Sequence, residues 1–120
     1  MDLPYAVIIE DDPKLSAIYQ ITLDHAGFET AIDTNGDKYH SLLALARPAL
    51  IVLDLHLPYA SGMDILTEIR DQYSDTIIAI TTADIFKAKA LQGKADHVLI
   101  KPVSVTSLLK IAEAAKRITA

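Results

Sequence analysis

The chain has 120 residues, of which 51% are hydrophobic and 22% charged, the size and balance of one compact domain with a buried core rather than of a disordered segment. A net charge of −5 repels phosphate backbones and anionic lipid headgroups, which argues against direct nucleic-acid binding. No cysteine is present, which excludes disulfides, thiolate metal sites and thiol catalysis and makes the cytoplasm the expected location. The longest apolar stretches, such as Ala49 to Leu53, run five residues where a bilayer span takes about 20, so no membrane segment is expected. Met1-Asp2-Leu3-Pro4 lacks the basic flank and apolar run of a secretory signal.

Short aliphatic runs alternate with amphipathic segments and no linker or repeat interrupts them, so one domain over residues 1–120 is expected. Tyr5 to Ile9, Leu50 to Leu53, Ile77 to Ile80 and Val98 to Ile100 are apolar at successive positions, the pattern of parallel strands covered on both faces. Phe28 to Asp33 alternates, as an edge strand does. Between the first two strands, Leu15, Ile18, Tyr19 and Thr22 follow helical spacing, with Gly27 placed as a C-cap. Ile65, Leu66, Ile69 and Tyr73 form a second stripe, behind the capping pair Ser61 and Asp64. Leu108, Ile111, Ala112 and Ala115 give the last helix its core face, with Ser104 or Thr106 as cap. Lys38 to Ala46 and Asp84 to Gln92 have helical length. A βα unit repeated five times predicts a three-layer α/β/α sandwich, because parallel crossovers are right-handed.

In such a doubly wound sheet the site lies beyond the carboxyl ends of the strands. Those ends carry Glu10-Asp11-Asp12, Asp54, Thr81-Thr82 and Lys101-Pro102. With strand order 2-1-3-4-5, Asp11 and Asp54 meet at one edge and three carboxylates crowd together. Like charges at close range call for a cation or a proton among them. Oxygen donors with room for water favour Mg²⁺ over an enclosed Ca²⁺ cage. A carboxylate beside a divalent ion, a hydroxyl and an ammonium is also equipped to receive a phosphoryl group, with Asp54 as the nucleophile.

The motifs Ile9-Glu10-Asp11-Asp12-Pro13, Asp54-Leu-His-Leu-Pro58-Tyr-Ala-Ser-Gly62, Ile80-Thr81 and Lys101-Pro102 together resemble the receiver domains of bacterial two-component response regulators, the CheY-like superfamily with its flavodoxin-like fold. The resemblance covers the whole chain. It implies a domain that accepts a phosphoryl group from a histidine kinase or phosphotransfer protein onto Asp54 and turns over no external substrate. It further implies Mg²⁺ held by Glu10, Asp11, Asp54 and the backbone carbonyl of His56. Thr81 and Lys101 would contact the phosphoryl oxygens, and a cis bond is expected before Pro102. An output domain or dimer partner would read the face of the fourth helix, fifth strand and fifth helix.

Three features depart from that pattern. Counting from the strand start selects Thr81 as the switch hydroxyl and leaves Thr82 where a small residue is customary; counting from the Thr-Ala pair selects Thr82 but requires an extra residue inside the strand, so Thr81 is favoured. The segment from Thr81 to Lys101 is short, which implies a clipped fourth helix, for which Phe86 is the expected packing anchor. Val98 stands where the family's reorienting aromatic is expected, so coupling is expected to run through Thr82 to Gly93. These features keep open an alternative, a receiver-like interaction module controlled by partner binding. A nucleotide-binding or dehalogenase-type reading fails because acids replace a phosphate loop and His56 stands where a second acid is needed. Asp12 reads as a helix N-terminal acid. His25, His40, His56 and His97 have no ligand spacing, and Pro58 and Gly62 read as loop geometry.

Overall fold

A computed structural model describes residues 3–119, so Met1 and Asp2 of the opening segment lie outside the described residues. The elements alternate as β1 (Tyr5–Ile9), α1 (Pro13–His25), β2 (Glu29–Asp33), α2 (Tyr39–Leu45), β3 (Leu50–Asp54), α3 (Gly62–Gln72), β4 (Ile77–Thr82), α4 (Ile85–Ala90), β5 (His97–Ile100) and α5 (Val105–Thr119). The strands form one parallel sheet of order 2-1-3-4-5. No described helix is long and apolar enough to cross a membrane.

Alternate strand residues feed two core layers, since successive side chains of a strand point to opposite faces. Ala6, Ile8, Leu50, Val52 and Ala79 pack with Tyr19 and Leu23 of α1 and with Leu108, Ile111, Ala112 and Ala115 of α5. Val7, Ile9, Ile51, Leu53, Ile78 and Ile80 pack on the other face with α2, α3 and Leu91. The three central strands are buried on both faces, as their unbroken apolar runs require.

The helix ends follow side-chain chemistry. Asp12 caps α1, its Oδ1 accepting the Lys14 and Leu15 N–H groups at 2.8 and 3.3 Å, and Gly27 leaves the helix with φ +93°. Ser61 Oγ accepts the Asp64 N–H at 3.2 Å. At α5 the cap is Ser104 rather than Thr106, with Oγ accepting from the Ser107 N–H. Asp84 caps α4, which is clipped to six residues.

Three expectations need correction. Ile18 is 44% exposed: the buried arc of α1 runs through Ser16, Tyr19, Thr22 and Leu23, and Ile18 lies outside it. β5 is only half-buried, with Ile100 exposed, because it is the second sheet edge and lies beside the short α4. Phe86 is 85% exposed and anchors nothing; Ala88 and Leu91 hold the fourth segment to the core instead.

Gly62 is fixed by close approach. A Cβ there would stand 2.4 Å from the Leu55 carbonyl oxygen, and backbone cannot yield as a flexible side chain can. Gly62→Ala is expected to lose roughly 2 kcal/mol or more of folding stability in urea denaturation, the cost of overpacking. An unchanged midpoint would contradict this contact.

Candidate functional site

The strand register assembles the site. Ile9 pairs with Leu53, so Glu10 follows β1 beside Asp54 at the end of β3. Asp54 pairs with Thr81, and Thr82 with Ile100. The Lys101 N–H then donates to the Thr82 carbonyl at 2.8 Å, which brings the lysine to the same edge. The Lys101–Pro102 bond is cis, as the resemblance implied.

Glu10 and Asp54 are each 1% exposed. Together with the exposed Asp11 they offer one carboxylate oxygen each within 4.8 Å of the others, and among the described residues this is the one acidic or histidine group that could hold an ion. The donors are all hard oxygens, which fits Mg²⁺. No histidine joins the group. Lys101 Nζ stands between the buried pair, 3.1 Å from Glu10 Oε1 and 3.3 Å from Asp54 Oδ2. Asp54 Oδ1 accepts the His56 N–H at 3.0 Å, and Glu10 Oε2 accepts the Asp12 N–H at 3.2 Å.

Crowding shows in the electrostatics. Burial, first, and then the hydrogen bond and charge of Asp54 push the Glu10 carboxyl up from 4.5 to about 7, against the opposing pull of the Asp12 N–H and Lys101. Burial alone would lower Lys101, but the hydrogen bond and charge of Glu10, with those of Asp54, outweigh it and leave the ammonium raised. Both directions describe a site short of positive charge.

The two threonines separate cleanly. Thr82 Oγ1 accepts the Asp84 N–H at 3.0 Å and so serves the turn into α4. Thr81 is wholly buried and its hydroxyl has no hydrogen-bond partner among the described residues. Val98 is half-buried and packs on the α2/α3 side of the sheet. Asp33 is a further buried acid at this end, but its oxygens are engaged by the N–H groups of Asn35, Gly36 and Lys38. The reading from sequence gave no part to the hydroxyl of Tyr19, which is buried in the layer between the sheet, α1 and α5 and feels the charges of Glu10, Asp54 and Asp12. Its helical spacing announced a core ring and could not announce where the ring ends.

The response regulator receiver domain matches residues 6–113 of the chain. The chain belongs to that family. It is 30% identical over 120 residues to the uncharacterized transcriptional regulatory protein YkoG of Bacillus subtilis, covering 98% of this chain and 53% of the relative. It is 32% identical over 103 residues to the transcriptional regulatory protein AfsQ1 of Streptomyces coelicolor, covering 84% and 46%. This receiver domain thus spans about half the length of these relatives. The Francisella response regulator 1452 receiver domain superposes with a TM-score of 0.84 at 23% identity, over 98% of this chain and 99% of that one, a likeness of fold.

Removing the lysine tests the charge balance. Lys101→Met is expected to lose about 3 kcal/mol at pH 8 without divalent ions, the order found when one partner of a buried ion pair is deleted. The deficit has a defined pH dependence. Because the folded pKa of Glu10 exceeds its unfolded 4.5, the folded state holds the proton more tightly, and stability falls as pH rises from 4.5 through about 7. The deficit of the variant therefore shrinks below pH 5, when Glu10 is neutral in both proteins. A deficit independent of pH in chemical denaturation would refute the account.

Proposed function

We propose that this receiver domain takes a phosphoryl group onto Asp54 from a histidine kinase or phosphotransfer protein. The observation that carries the reading is the buried Asp54 carboxylate, held between two further acids and an ammonium at the sheet edge. An Asp54 oxygen forms the new bond to phosphorus while the phosphorus–nitrogen bond of the donor's phosphohistidine breaks, and the electron pair and a proton go to the imidazole. The product is an acyl phosphate. Such a transfer needs alignment and neutralising charge more than a general base.

Lys101 is the cation in reach, free to exchange a carboxylate oxygen for a phosphoryl oxygen. Thr81 is the switch hydroxyl, favoured over Thr82 because it has no hydrogen-bond partner among the described residues, while the Thr82 oxygen accepts the Asp84 N–H and is held in the turn into α4. Glu10, Asp11, Asp54 and the His56 carbonyl would hold Mg²⁺, which would supply positive charge against the transferring oxygens. The domain acts on its own acyl phosphate and on no external substrate. Ile85, Phe86, Ile100 and Val105 expose apolar surface on α4, β5 and α5, which supports that face as the contact for an output domain or dimer partner. Control by partner binding alone is the weaker reading, since the acids and the ammonium of the site are intact.

Incubation with a small phosphodonor and Mg²⁺ should add one acid-stable, base-labile phosphoryl group, absent from Asp54→Asn. Phosphorylation of the variant at the same rate and site would defeat the assignment. Mg²⁺ should also raise the melting temperature, by about 1.4 kcal/mol of added stability at ten times its Kd. An unchanged transition at saturating Mg²⁺ would remove the metal from the scheme.

A further inference from the structure

Tyr19 is 1% exposed and packs in the core layer between the sheet, α1 and α5. Its ring fills that layer as Phe would, yet its hydroxyl has no hydrogen-bond partner among the described residues. A buried unpaired hydroxyl costs about 1 to 3 kcal/mol, and buried tyrosines normally find a partner. The fold alone therefore gives no reason for a Tyr here.

The hydroxyl feels the groups of the site. Burial pushes the phenol up to about 12, the charges of Glu10, Asp54 and Asp12 add to the rise, and the Thr81 hydroxyl acts in the opposite sense. Tyr19 and Thr81 thus carry two buried hydroxyls, neither with a hydrogen-bond partner among the described residues, and the phenol feels the Thr81 hydroxyl. They share a face of the sheet. Thr81 lies two residues after Ala79 and four after Ile77, both of which pack in the layer that holds Tyr19.

We propose that Tyr19 is a positioning residue for the switch hydroxyl: once Asp54 is phosphorylated, Tyr19 Oη–H donates to Thr81 Oγ1 while Thr81 Oγ1–H donates to a phosphoryl oxygen. The direction of this chain follows from the groups themselves. A phenol is the stronger donor and an aliphatic hydroxyl the stronger acceptor, so a two-hydroxyl chain runs from Tyr through Thr to the anion. The reverse order would leave the phenol proton pointing into an aliphatic layer. Each bond in the chain polarises the next, so Tyr19 strengthens the hold of Thr81 on the phosphoryl group. Thr82 is not available for this, because Asp84 engages it.

The inference rests on Asp54 as the acceptor, and one titration separates the two claims. The probe is beryllofluoride, added with Mg²⁺ to the full chain. Wild type should bind it, Asp54→Asn should not, and Tyr19→Phe should bind about fivefold more weakly, the worth of one net hydrogen bond. In a Thr81→Val background the Tyr19 substitution should make no further difference. The chain has five tyrosines and no tryptophan, so beryllofluoride should also perturb tyrosine absorption, by an amount lost in both Tyr19→Phe and Thr81→Val. Tyr19→Phe keeps the ring and should melt no lower than wild type; were it to unfold, the absorption change with and without Thr81→Val still decides. Equal affinity for wild type and Tyr19→Phe, or the same fivefold loss in the Thr81→Val background, overturns the relay and leaves the acceptor standing. Failure of wild type to bind beryllofluoride overturns both.

Discussion

Two carboxylates with almost no solvent around them, Glu10 and Asp54, share one ammonium, and the other features of the site follow from that shortage of positive charge. A buried carboxylate without compensation is far costlier than any surface ion pair is worth. The chain meets the cost partly with Lys101 and partly by keeping a proton on Glu10, whose carboxyl titrates near neutrality. In the function proposed, a divalent cation would relieve the repulsion, and a phosphoryl group would give Lys101 and Thr81 an anion at which to point.

The parallel order 2-1-3-4-5 makes this possible; the parallel sheet was readable from the residues, whereas its order was supposed there. Unbroken aliphatic runs can be buried on both faces only inside a helix-covered parallel sheet, and the polar residues that stop each run, Glu10, Asp54, Thr81 and Lys101, then collect at one edge. Strand ends are legible because an apolar run stops abruptly. Helix starts are legible for a similar reason: Asp12, read as a helix N-terminal acid, and Ser61, read as a cap, each supply an oxygen where helical N–H groups have no partner.

What sequence did not disclose depends on how elements sit against one another. Ile18 and Tyr19 are equally apolar to a periodicity argument, and only the rotation of α1 about its axis exposes one and buries the other. Phe86 looked like an anchor because it is large, but a helix of six residues turns its small Ala88 inward and leaves the ring in solvent. β5 has the composition of a central strand and the position of an edge. Thr81 and Thr82 are adjacent and equally buried, and the counting that favours Thr81 could not show that the Thr82 oxygen accepts the Asp84 N–H.

The two faces of the sheet divide the work around Asp54. Val98 packs with the α2/α3 layer and its side chain carries no polar atom, so it cannot answer a change in the Thr81 hydroxyl by forming or losing a hydrogen bond. Tyr19 packs in the opposite layer, against the sheet and the inward face of α5, and does carry one. A displacement of its ring would be felt first by Leu108, Ile111 and Ala112 in the same closely packed layer, where side chains have no free volume in which to absorb it. Because α5 follows on the Lys101–Pro102 bend, the ammonium that would meet the proposed phosphoryl group and the layer that holds the Tyr19 phenol both lead to the same helix.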